Sequence, residues 1–70
     1  MTATEALDQA YYRISKSWHS LSRRDRQAAI FRLKKLEEQA DALGVEGKAV
    51  SDDIRALIGL IEIAVDQSPR

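Results

Sequence analysis

The stretch Ile54–Val65, IRALIGLIEIAV, constrains this chain more than any other. Nine of its twelve residues are apolar, and only Arg55, Gly59 and Glu62 interrupt them. At about 100° per residue, Ile54, Leu57, Ile61 and Ala64 share one side of a helix, Ile58 and Leu60 flank that side, and Ile63 lies beyond it. An apolar arc of that width has to be buried, and no single neighbouring helix covers it. The rest of the chain therefore serves as its cover, together with or in place of another molecule.

Seventy residues form one small domain, residues 1–70. A chain this short buries only about 60% of its unfolded surface, so its stability is marginal. With no cysteine, disulfides and thiolate metal sites are excluded. Association with a copy or a partner is the remaining means of reinforcement. The opening MTATEALDQA has no basic region followed by an apolar run, so no secretory signal is expected. The run at 54–65 falls short of the roughly 20 apolar residues needed to cross a bilayer. A cytoplasmic location is expected, and no membrane partner.

Two further helices are written in the sequence. Thr2 and Glu5 fit a capping box, and Leu7, Tyr11, Ile14, Trp18 and Leu21 recur at spacings of four and three. Helix 1 is expected over about residues 3–18. Ser15, Ser17, Ser20 and Ser22 crowd its end, where serine hydroxyls compete for backbone partners. Ser22 and Asp25 then mark a second start, Ala29, Leu33, Leu36, Ala40 and Leu43 form the stripe, and Gly44 is a natural left-handed stop. Helix 2 is expected over about 23–43. Ser51 followed by Asp52 and Asp53 reads as the cap and acidic first turn of helix 3, over about 52–66, with 47 as its earliest start. The expected fold is all-α: a three-helix bundle in which a hairpin of helices 2 and 3 has helix 1 packed across it. Leu7, Tyr11, Ile14, Trp18, Leu33, Leu36, Leu57 and Ile61 are its expected core.

No arrangement of residues supports catalysis. His19 is the single histidine, and Ser20 and Asp25 near it lack the elbow and oxyanion site of a triad. The pairs Glu37–Glu38 and Asp52–Asp53 point about 100° apart on a helix and do not converge. There is no glycine-rich phosphate loop. Neither an enzyme nor a bound cofactor or metal is expected.

Binding is the remaining class, and two surfaces present themselves. Tyr12 lies about 140° from Leu7, Phe31 about 200° from Ala29 and Ile63 about 240° from Leu57, so all three point off the intramolecular stripes. They are the expected partner interface of a protein-interaction module, an adaptor or chaperone-like subunit, acting as a homodimer or in a small complex. The second surface is electrostatic. Net charge is zero, but residues 1–12 carry −2, residues 13–35 carry +7 and residues 36–70 carry −5. Within the basic segment Arg23, Arg24, Arg26, Lys34 and Lys35 are candidate nucleic-acid contacts, with Tyr12 and Trp18 nearby in sequence. Trp18 belongs to the apolar stripe and is expected in the core.

Two resemblances bear on the choice. Ala40, Leu43, Gly44, Val45, Val50, Asp53, Ile54 and Leu57, within ADALGVEGKAVSDDIRAL, resemble the helix-turn-helix of bacterial winged-helix repressors of the DeoR type. That resemblance implies a DNA-binding regulator with its turn at Gly44 and a recognition helix at 47–57 in the major groove. Asp52 stands where that family carries a basic residue, and no glycine-rich hairpin follows to form a wing. In size, charge and helix number the chain also resembles the small helical chaperones of type III secretion needle subunits, which implies a protein partner. The interaction module is the expected function, with a DNA-binding regulator using segment 40–57 and the basic segment 13–35 as the alternative.

Overall fold

The computed structural model describes residues 2–67. Three α-helices, α1 (Ala3–Ser17), α2 (Arg23–Ala42) and α3 (Lys48–Gln67), are joined by two short 3₁₀ turns, Trp18–Ser20 and Gly44–Gly47. The fold is the all-α three-helix bundle expected from the stripes.

Local chemistry sets the boundaries. Thr2 Oγ1 accepts the Glu5 backbone N–H at 3.1 Å, and Ser22 Oγ accepts that of Asp25 at 3.2 Å, so each helix start has a donor satisfied. At the end of α1 the serines turn back on the backbone. Ser15 Oγ donates to the Tyr12 carbonyl, Ser17 Oγ to that of Arg13 and Ser20 Oγ to that of Ser17. The helix tightens to 3₁₀ there, and Leu21 and Ser22 are extended (ψ 149° and 166°), which separates α1 from α2. Gly44 ends the second crossing at φ 70°, the left-handed conformation that suits glycine.

Helix α3 differs from its expected start. It begins at Lys48, so Ser51 lies inside the helix instead of capping it. Ser51 is 2% exposed, and its Oγ donates to Asp41 Oδ1 at 2.6 Å across the hairpin. A serine followed by two aspartates matches a helix start, but here the hydroxyl serves the neighbouring helix. Gly47 permits the tight re-entry, because a Cβ at that position would overlap the backbone carbonyl of Ala40.

Helices α2 and α3 form an antiparallel hairpin along their whole length. Asp41 bonds Ser51 and Glu37 pairs with Arg55, while Gln27 and Ile30 lie beside Glu62, Val65 and Asp66. As numbers fall along α2 they rise along α3. Helix α1 runs antiparallel to α2 in the same way: Ala10 and Ile14 lie beside Lys35, Leu36 and Arg32, and Ser17 beside Asp25, Ala28 and Ala29. The bundle measures 40 × 18 × 14 Å. A 20-residue helix is about 30 Å long, so three helices fit that width only side by side.

Helix α3 supplies six of the ten residues of the core cluster, Val50, Ile54, Leu57, Ile58, Ile61 and Val65. Leu7 and Trp18 reach it from the first segment and Leu33 and Ala40 from α2, with Tyr11, Ile14 and Leu36 packed at its edge. The expected core residues all belong to this cluster or pack on it. Of the two residues flanking the inward face of α3, Ile58 is buried and Leu60 is exposed.

Candidate functional site: an apolar strip and a basic groove

Two surfaces remain once the core is assembled. The first lies on α3. Ala49, Asp53, Ala56, Leu60 and Ile63 follow one another at spacings of four, three, four and three, which places them in one row along the helix. All five are exposed, Leu60 at 58% and Ile63 at 55%. Ser51, Arg55, Ile58 and Glu62 occupy the side facing α2, so by helical geometry the row points away from α2. The row contains no cation; Asp53 lies within it and Asp52 on its edge.

The three expected interface residues are all exposed, Tyr12 at 56%, Phe31 at 62% and Ile63 at 55%. They do not form one patch. Each points away from the core on a different helix, and in a three-helix bundle such positions face three different flanks. Lys16 Nζ lies 5.2 Å from the centre of the Tyr12 ring and Lys35 Nζ 5.1 Å from that of Phe31. Ile63 is the one of the three with a large apolar neighbour on its own helix face, Leu60. The sequence places Leu60 at the flank of the core with Ile58; its spacing of three from Ile63 sets the two side by side on the exposed row.

The second surface is a groove between α1 and α2. Its wider part encloses about 370 Å³ and is lined by Ala10, Arg13, Ile14, Arg32, Lys35 and Leu36. It continues past Ile14 and Arg32 toward Leu21, Asp25, Ala28 and Ala29. Arg13, Arg32 and Lys35 thus surround an apolar floor. Among the described residues the only ion pairs within 4.0 Å are Arg55–Glu37 and Arg55–Asp52, so none of these three cations has a carboxylate that close.

The candidate nucleic-acid residues are dispersed by comparison. Arg23, Arg24, Lys34 and Lys35 are exposed at positions spread around α2. Arg26 is committed elsewhere: its Nε donates to the Trp18 carbonyl at 3.3 Å, its Nη2 to the His19 carbonyl at 2.8 Å, and its guanidinium lies 5.3 Å from the centre of the Trp18 ring. Of the five, Lys35 alone lines the groove, where it meets Arg13 and Arg32. Only the antiparallel register of α1 on α2 brings Arg13 to the other two.

Segment 40–57 does not have the layout of a helix-turn-helix. Such a motif sets its helices at about 90–120°, whereas α2 and α3 lie along each other for their full length. His19 stacks on Trp18, with ring centres 4.0 Å apart and planes 31° apart, while Ser20 bonds backbone, so no triad is assembled. Among the described residues no cluster of histidine or carboxylates could hold a metal ion, and no helix is long and apolar enough to cross a membrane. Comparison with known protein families, characterised proteins and solved structures gives no match to any of them.

Proposed function

We propose that this chain is a non-enzymatic protein-interaction module that works through the exposed face of α3, as a homo-oligomer or in a small complex. The observation that carries this reading is the pairing of Leu60 and Ile63, both more than half exposed, on one face of the helix that also organises the core. Scattered exposed apolar residues are ordinary, but two large ones adjacent on a rigid helix form an anchor for a partner helix. Ala49 and Ala56 extend the row with small side chains that let a second backbone approach. Tyr12 and Phe31 lie on other flanks and are outside this face. Sedimentation across a concentration series, with the native host's extract as a second arm, tests the reading. Leu60→Lys/Ile63→Lys is expected to abolish self-association or partner capture while leaving the helical circular dichroism unchanged. An association undiminished by both substitutions overturns it.

The convergence of Arg13, Arg32 and Lys35 favours a second reading, binding of a nucleic-acid backbone. It predicts an affinity for duplex DNA whose logarithm falls with the logarithm of salt by about 0.9 for each phosphate neutralised. Absence of a salt-dependent complex excludes it.

A further inference from the structure

The groove and the strip are complementary, and we infer that the partner of α3 is the α1/α2 groove of a second copy of this chain, in a head-to-tail contact. This inference rests on the reading that α3 is the interaction face, and adds what that face binds.

The two surfaces are separate. No α3 residue lines the groove, and the strip points away from α2. A standard interface takes about 800 Å² from each partner, about a sixth of the 5004 Å² exposed by this molecule, so both surfaces can be occupied at once. From Asp25 to Leu36 the groove runs about 16 Å along α2, and the part of the row that carries its charge and its large apolar residues, Asp53 to Ile63, runs about 15 Å along α3. Both carry apolar side chains, Leu60 and Ile63 toward one end of the strip, and Ile14 and Leu36 along the groove floor with Leu21 and Ala28 further on.

Charge selects this pairing over a symmetric one. If α3 packed on α3 of a copy in parallel, Asp53 would meet Asp53. In antiparallel packing about the midpoint of Ala56 and Leu60, Asp53 would lie against the partner's Ile63. Either arrangement takes a carboxylate out of water with no cation beside it, which is costly, and the antiparallel register that sets Leu60 on the partner's Ile63 overlaps only residues 56–67 of each helix. In the groove Asp53 meets Arg13, Arg32 and Lys35, which have no carboxylate within 4.0 Å among the described residues. The same logic explains how a chain of zero net charge carries +7 in residues 13–35 and −5 in residues 36–70. A contact between unlike surfaces leaves one of each free at the ends, so it propagates into rings or open chains and does not stop at a pair.

The test uses two variants of the full chain. Leu60→Lys/Ile63→Lys disables the strip and leaves the groove; Arg13→Glu/Arg32→Glu disables the groove and leaves the strip. All four positions are exposed, and circular dichroism checks the fold; Leu60→Ser and Arg13→Ala/Arg32→Ala replace a variant that unfolds. In sedimentation the parent is expected to grow past a dimer with concentration, each variant alone to stay monomeric, and their equimolar mixture to form a dimer and no more. Raised salt should weaken that dimer. A mixture that stays monomeric overturns the inference. So does a parent that halts at a dimer, lost with the strip variant and kept with the groove variant; that result assigns a symmetric α3 interface and leaves the interaction reading standing. A parent that stays monomeric and binds duplex DNA through Arg13 and Arg32 overturns both.

Discussion

Ser51, buried in α3, donates its hydroxyl proton to the exposed Asp41 of α2 at 2.6 Å. The two ends of this bond are unequal. Without Asp41 the serine hydroxyl is left at a dry helix contact, restricted to its own backbone four residues back. Without the hydroxyl, the Asp41 carboxylate still reaches water. Stranding a buried donor costs about 1–3 kcal/mol, whereas removing both partners together can be nearly neutral. Asp41→Ala is therefore expected to destabilise more than Ser51→Ala, and the double variant to match Ser51→Ala. Urea unfolding of the three checks this, and equal effects of the two single changes would refute it.

The three glycines should respond to alanine with different signs. At Gly47 a Cβ would meet the Ala40 carbonyl, which is backbone and cannot step aside. Gly47→Ala must force α2 and the second turn apart, and we expect it to be the most damaging. Gly44 has open space around it but a φ of 70°, so its alanine variant loses about 1–2 kcal/mol to left-handed strain. Gly59 sits inside α3 with nothing within 4 Å of a Cβ, and Gly59→Ala should gain about 0.5–1 kcal/mol from helix propensity. Thermal unfolding of the three variants gives the order directly.

These glycines also show how much of the fold was legible in the sequence. Gly44 follows an apolar stripe and marks a helix end by its own chemistry. Thr2 and Ser22 act within three residues, and the spacing of Leu33, Leu36, Leu57 and Ile61 is a property of one helix at a time. Features that depend on two helices were not legible. Ser51 has the sequence context of a cap, and its partner Asp41 is ten residues away on another helix. Gly47 lies in the connection between the two helices, and only its close approach to the Ala40 carbonyl shows why a glycine is needed there. The groove cations were hidden for the same reason: Arg13 is nineteen residues from Arg32, and only the register of α1 on α2 joins them.

Arg26 closes the corner between the first two helices. It spans the Trp18 and His19 carbonyls with two nitrogens while its plane lies over the indole. Lysine carries its three donors on a single nitrogen and has no planar fork to span both carbonyls while covering the indole. Arg26→Lys is expected to lose about 1 kcal/mol and to shift Trp18 fluorescence to the red as its ring is uncovered. A lysine variant with parental stability and emission would refute the clasp.

Leu60 and Ile61 are sequence neighbours with nearly the same side-chain volume, one 58% exposed and the other fully buried. Ile61→Ala leaves a cavity between helices and should cost about 2–5 kcal/mol, enough to unfold a large fraction of a 70-residue domain at ambient temperature. Leu60→Ala should change the stability of the monomer by no more than about 0.5 kcal/mol. If α3 is the interaction face, stability measured at high protein concentration reverses that neutrality, because association stabilises the native state by an amount that grows with the logarithm of concentration above the dissociation constant. The parent should then melt higher as concentration rises, and Leu60→Ala should lose that dependence while melting like the parent when dilute. A concentration-independent melting temperature in both would remove Leu60 from any interface within the range measured.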